Sequence, residues 1–328
     1  ITDPHGKESL SEEHEINIPA GKKTKEVFNL DILSPDLWEP TNPALYTASI
    51  ILVEAGKVKD CYSSQFGIRD IAYDVENGFM LNGKSLQMKG GCIHHDNGIL
   101  GAAAFKDAEH RKIRILKESG FNAVRTSHNP PSKALLDACD ELGMLVIDEA
   151  FDHWIVPKRP NDYSNYFNDW NKKDIQAMVL RDRNHPSIVM WSFGNEVQER
   201  ANPEGIEIGK KLIKAIEEID TSRPVTQAVC GFWDNPGKEW DYSSGAFEIC
   251  DVSGYNYQHP FYEDDFKKYP ERIMYGSESF PLKAWESWEY TKNLPYVVGD
   301  FVWTAMDYIG EAKIGRTFYK LASGEIIE

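Results

Sequence analysis

A chain of 328 residues with 41% hydrophobic and 12% aromatic content is long enough to bury a large core in one barrel-sized domain plus a smaller one. Its net charge of −16 repels nucleic acid and anionic membrane surfaces, so neither is an expected partner. No run approaches the roughly 18 apolar residues of a membrane span, and five scattered cysteines without a C-x-x-C pair argue against a zinc ribbon or a disulfide framework.

Residues 1–75 form the first expected unit. Tyr46-Thr47-Ala48-Ser49-Ile50-Ile51-Leu52-Val53 alternates as strands do, and Pro35, Pro40, Pro43 and Gly56 supply turns, which together predict an all-β sandwich. That length is short for a sandwich, so an opening strand or two is expected to be missing. Residues 76–328 change to an alternation of short apolar strands and helices. Strands are expected to begin near Leu86, Phe121, Met144, Ile188, Val225, Val252, Arg272 and Val297, and eight is the number that closes a (β/α)8 TIM barrel.

Three intervening helices carry start and stop signals. Asp107 is placed to cap a helix that ends before Gly120, and Ser132 to cap one carrying Leu135, Cys139 and Leu142 before Gly143. Asn202-Pro203 opens a third, with Ile208, Leu212, Ile216 and Ile219 at helical spacing. A doubly wound nucleotide-binding sheet is the competing α/β architecture, but no G-x-G-x-x-G opens the first crossover. After the eighth strand, Gly310, Gly315 and Gly324 interrupt the remaining residues too often for an amphipathic helix. The last barrel helix is therefore expected to be missing, with an uncovered seam beside the first and eighth strands.

The chemistry is expected at strand ends. Ile188-Val189-Met190-Trp191 runs into Gly194-Asn195-Glu196, and Ile273-Met274-Tyr275 runs into Glu278. Glu196 alone could serve as a cap for the helix that follows. Two glutamates at the carboxyl ends of barrel strands are what retaining glycoside hydrolysis needs: one acid/base and one nucleophile, about 5 Å apart. The acid needs a raised pKa, from burial and the neighbouring anion. Tyr257, at the end of the sixth strand, is a candidate to hydrogen-bond the nucleophile, and Arg125 and His128 after the second strand suit sugar hydroxyls or a carboxylate. Cys92-Ile93-His94-His95-Asp96-Asn97 suggests a rival, metal-dependent hydrolase. Adjacent histidines diverge along a strand, and further ligands would have to come from Asp148, Glu149, Asp152 and His153. Trp154, Trp233, Trp285 and Trp303 suit stacking on sugar rings, with Trp303, at the end of the eighth strand, the preferred candidate.

Several longer motifs resemble glycoside hydrolase family 2, the β-galactosidase and β-glucuronidase family. They are Phe66-Gly67-Ile68-Arg69, Leu81-Asn82-Gly83-Lys84, Phe121 to His128, Arg181-Asp182-Arg183-Asn184-His185-Pro186-Ser187, Gly194-Asn195-Glu196 and Phe301-Val302-Trp303. The resemblance implies an immunoglobulin-like domain over 1–75 ahead of a catalytic barrel over 76–328. It implies Glu196 as acid/base, Asn195 as the contact to the sugar 2-hydroxyl and Glu278 as nucleophile. Tyr257, His128, Arg125 and Trp303 are implied to line the substrate site, and His95 and Asp96 after the first strand are further expected substrate contacts. Glu149-Ala150-Phe151-Asp152-His153 does not reproduce the family's magnesium-binding Glu-x-His, so no metal or other cofactor is expected. The stretch from Asp307 to Arg316 lacks the Asn-x-Lys with which family glucuronidases grip a substrate carboxylate. A terminal β-D-galactoside is therefore the expected substrate. β-Glucuronide or β-mannoside hydrolysis are alternatives, and a carbohydrate-binding barrel without turnover is the non-enzymatic one. The resemblance is compatible with a homo-oligomer and favours a periplasmic or secreted location.

Overall fold

The structure is a computed structural model that describes residues 1–233, 235–306, 319–324 and 326–327. The all-β amino-terminal portion is drawn on one antiparallel hairpin, β1 (Tyr46–Glu54) with β2 (Lys57–Phe66). Ala55 and Gly56, at φ 49° and 75°, make the two-residue turn between them, the conformation that matches the twist of paired strands. A second small antiparallel sheet follows, of β3 (Ile71–Asp74), β4 (Gly78–Leu81) and β5 (Lys84–Ser85).

Eight parallel strands then close a barrel. They are β6 (Met88–His94), β7 (Ala123–Ser127), β8 (Leu145–Glu149), β9 (Ile188–Asn195), β10 (Val225–Val229), β11 (Val252–Asn256), β12 (Met274–Ser279) and β13 (Val297–Val302). β13 pairs back onto β6, with Gly299 opposite Met88. All eight begin within two residues of the expected positions, because short β-branched runs bounded by turn residues mark buried parallel strands locally.

Helices occupy the crossovers: α1 (Lys106–Glu118), α2 (Lys133–Leu142), α3 (Ser164–Asp182), α4 (Pro203–Glu217), α5 (Ser244–Phe247), α6 (Tyr262–Lys268) and α7 (Ala284–Asn293). Ser132 caps α2 by accepting from the Leu135 amide at 3.1 Å, and Asn202 caps α4 by accepting from Gly205 at 2.8 Å. Asp107 does not cap α1. The helix begins one residue earlier, and Asp107 instead lies in its first turn, where a negative charge still complements the dipole. No start or stop signal along the chain marks α3. Phe167, Ile175, Met178 and Val179 are buried, but Tyr166, Trp170 and Leu180 face solvent and blur the apolar stripe. The expected seam after the eighth strand falls on residues 307–318 and lies outside the described residues.

The amino-terminal end of the barrel is closed by the chain that precedes it. Trp38, Phe79 and Leu81 share a buried cluster with Leu145, Ile147 and Phe301, and the Trp38 indole donates to the Asp140 carbonyl at 3.0 Å. Arg69 donates to the carbonyls of Pro186 and Ile188. Gly67 permits this docking, since a Cβ there would come within 2.6 Å of the Pro186 ring. The opposite, carboxyl-terminal end is left to the loops.

One barrel residue carries a stability prediction. Asp300 on β13 is 7% exposed, Oδ2 accepts from the Ser279 hydroxyl at 2.8 Å, and Oδ1 has no partner among the described residues. Burial pushes its carboxyl from the ordinary 3.8 up to about 7. A raised carboxyl costs nothing below its ordinary value, and stability falls as pH rises toward the folded value, by roughly 1.4 kcal/mol for each pH unit separating the two. Asp300→Asn is therefore expected to raise the thermal midpoint at pH 8, by roughly 2–4 °C per kcal/mol recovered, and to leave it unchanged at pH 4. Scanning calorimetry at both pH values checks this, and an equal shift at both contradicts it.

Candidate active site

β9 delivers the first carboxylate. Its residues Ile188–Asn195 are buried throughout, and Glu196 then turns the chain at φ +44° while its amide donates to the Ala228 carbonyl at 2.9 Å. β12 delivers the second: Glu278 is 4% exposed, in a strand buried from Met274 to Ser279. The environments of the two differ in kind.

Glu278 is surrounded by donors. Arg125 Nη1 donates to its Oε1 at 3.0 Å, the Tyr257 hydroxyl donates to its Oε2 at 2.7 Å, and His128 Nε2 lies 3.6 Å from Oε1. Hydrogen bonds to a carboxylate from an arginine or a phenol are short and strong. Tyr257 is aimed by its own backbone, at φ +60°, with its amide on the Glu278 carbonyl at 2.8 Å. Glu196 receives one neutral donor, Asn256 Nδ2 at 3.0 Å. Burial, followed by the charge of Glu278, raises its pKa above the ordinary carboxylate value.

Beneath the pair lies a buried charged layer. Burial opposes the charge on Arg125, but Glu149 and Glu278 outweigh it and hold the guanidinium well above its ordinary value. Arg125 is bidentate on Glu149, at 2.7 to 2.9 Å, and donates to Asn195 Oδ1 at 2.8 Å. Glu149 also accepts from the Ser192 hydroxyl and meets His128 Nδ1, both at 2.7 Å. Burial would raise Glu149, but Arg125 and His128 prevail and lower it. On the β8 side, Asp152 Oδ1 accepts from Asn195 Nδ2 at 2.9 Å and from Lys158 Nζ at 2.7 Å.

Of the residues expected at the site, Glu196, Glu278, Asn195, Tyr257, His128, Arg125 and Trp303 meet in one set of contacts. The Trp303 ring stacks on His128 at 5.0 Å and 5° and stands edge-on to His94. His95 instead lies in the loop after β6, with Nε2 3.2 Å from the Ala102 carbonyl, and Asp96 follows it there. Trp154 is a core residue, fully buried with its indole on the Phe193 carbonyl, whereas Trp233 and Trp285 are exposed. The residues weighed as further metal ligands are engaged elsewhere, and only Asp152 and His153 stay near each other, at 3.7 Å. Glu149 faces Arg125, His153 faces Asp162, and Asp148 lies near Asp182, whose charge adds to burial in raising its carboxyl. Among the described residues no group of three or more His, Cys, Asp or Glu side chains is arranged to hold a metal.

Sequence reasoning missed Asn256. It ends β11 opposite Glu278, and its Nδ2 reaches both Glu196 Oε1 and Asn195 Oδ1, while its Oδ1 accepts from the Ser277 hydroxyl at 2.6 Å. Its place at the end of an apolar strand, one residue before Tyr257, was the available signal.

Residues 74–274 match the family described as "Glycosyl hydrolases family 2, TIM barrel domain", and residues 1–69 match "Glycosyl hydrolases family 2". A solved structure of a glycosyl hydrolase family 2 member from Bacteroides cellulosilyticus is 50% identical with a TM-score of 0.82, over 87% of this chain and 36% of that one. A β-galactosidase of Bacteroides ovatus is 33% identical over 95% of this chain and 45% of its own length. A β-glucuronidase of Felis catus is 30% identical over 85% of this chain and 48% of its own. The chain spans less than half the length of these relatives.

Proposed function

The chain belongs to glycosyl hydrolase family 2, and from that premise we propose that its paired glutamates remove a terminal β-linked sugar with retention of configuration. The carrying observation is the asymmetry of the pair: Glu278 meets a guanidinium and a phenol, while Glu196 is buried beside that negative charge. Glu278 attacks the anomeric carbon, and Glu196 gives its proton to the departing glycosidic oxygen. A covalent glycosyl ester on Glu278 results. Glu196, now the base, takes a proton from water as that water displaces Glu278, which restores both groups. Asn195, held by Arg125, Asp152 and Asn256, is the residue we assign to the sugar 2-hydroxyl.

The glycone we favour is β-D-galactose, a neutral sugar. A uronate would need a cation of its own, but Arg125 is engaged by Glu149 and Glu278 and Lys158 by Asp152. Beside His128, which meets both Glu149 and Glu278, no further lysine or arginine among the described residues of the site faces the pair. Likeness in name does not discriminate, since both a β-galactosidase and a β-glucuronidase are similar to the chain. The test is a comparison of kcat/KM for aryl β-galactoside, β-glucuronide and β-mannoside under identical conditions. The galactoside is expected to be fastest, and faster turnover of either alternative overturns the choice.

A further inference from the structure

We propose that the cavity between the loop after β8 and helix α3 is a second subsite, one that takes a neutral, ring-sized apolar group carried by the substrate. The proposal rests on the reading of the paired glutamates as a glycosidase centre. The cavity is open to solvent on one side and has a volume of about 440 Å3, within the range of small-molecule sites. Phe151, Tyr163, Ala177 and Met178 wall it, and His128 and Asp152 also line it. The last two belong to the catalytic network as well: His128 Nε2 is 3.6 Å from Glu278, and Asp152 accepts from Asn195 at 2.9 Å. The cavity is thus an extension of the active site.

Its chemistry follows from what its polar groups already do. The Tyr163 hydroxyl donates to Asp174 at 2.5 Å, the Arg181 guanidinium lies on Asp182 at 2.6 Å, and Lys158 holds Asp152 at 2.7 Å. A charged ligand would find its counter-ions already engaged. Apart from Asn129 and the His153 ring, which lies 3.7 Å from Asp152 and 3.3 Å from Asp162, the remaining wall is apolar: Tyr163 stacks on Phe151 at 5.3 Å and 18°, and the Met178 thioether adds a polarisable wall. A ring there would be recognised by stacking and by removal of apolar surface from water. It could arrive as the leaving group or as a substituent on a sugar hydroxyl, with the same chemistry in either case.

Ala177 is exposed on α3, so Ala177→Trp narrows the cavity without touching the core, and Tyr163→Ala, which removes a stacking wall, provides a second variant. Calorimetric titration with 2-naphthol is expected to show binding to the unmodified protein, weakened by about tenfold or more in either variant. For turnover, kcat/KM of the methyl glycoside is expected to stay within about twofold in Ala177→Trp, while a ring-bearing substrate loses about tenfold or more. Loss on the phenyl glycoside assigns the ring to the leaving group, and loss only on a methyl glycoside benzoylated on the sugar assigns it to a substituent. Naphthol binding that neither variant weakens overturns the proposal, as does unchanged kcat/KM for both ring-bearing substrates. If no glycoside is turned over while variant-sensitive naphthol binding persists, the glycosidase reading fails and the cavity stands as an apolar-ring site alone.

Discussion

Glu278→Gln is expected to lower kcat by about 10⁴-fold or more, because no covalent intermediate can form without the carboxylate. The fold should survive the change. Arg125 keeps its bidentate contact with Glu149, so the buried guanidinium is not left without a counter-charge, and the Gln amide still offers an oxygen to Arg125 or to the Tyr257 hydroxyl. The same substitution should move Glu196. The charge of Glu278 is one of the two causes that raise its pKa, so the Glu196 pKa should fall in the variant while the burial component remains. Two measurements check this: mass spectrometry after a 2-deoxy-2-fluoro glycoside inactivator, which should label Glu278 in the unmodified protein, and a carboxyl titration by NMR in the variant. Label on another residue would remove Glu278 from the nucleophile's role.

Glu196→Gln is expected to act through protonation. The first step needs Glu196 as the acid, and its value lies above that of an ordinary carboxylate, so kcat/KM should fall as pH rises through the raised value. A glutamine has no proton to lose in that range, and the alkaline limb should vanish. The size of the loss should depend on the leaving group. An alkyl glycoside needs its oxygen protonated and should lose about 10²- to 10⁴-fold, the usual worth of a general acid, whereas a nitrophenyl glycoside leaves as a stable anion and should lose far less in the first step. Added azide, a nucleophile that needs no base, should restore the second step and yield a β-glycosyl azide. An intact alkaline limb in the variant would assign the proton to another group.

The sequence marked the strand starts and strand-end glutamates well and the network between them poorly. The segment ending in Gly194-Asn195-Glu196 announces itself through a run of buried strand residues and a glycine before the turn, all within a few positions. Glu149 was visible only as a conceivable metal ligand, although it is the partner that carries Arg125 and His128. Asn256 had no expected role, and Trp154, weighed with Trp233, Trp285 and Trp303 for stacking on sugar rings, lies in the core. Helix α3 went unmarked because its exposed aromatics mask the period that its buried face keeps.

What the sequence determined by itself is therefore what neighbours along the chain can encode: eight short apolar strands, the turns and caps between them, and two carboxylates at strand ends. What the tertiary structure alone decided is which groups meet and how each is charged. Arg125 and Glu278 are 153 residues apart, and Asn256 and Glu196 are 60 apart. The first contact needs β13 paired onto β6 between β12 and β7, and the second needs β10 paired between β9 and β11, which brings their ends to one mouth. There, burial beside Glu278 raises Glu196, and Arg125 with Tyr257 meets Glu278. Chemically identical side chains become different reagents because their surroundings are assembled from distant parts of the chain.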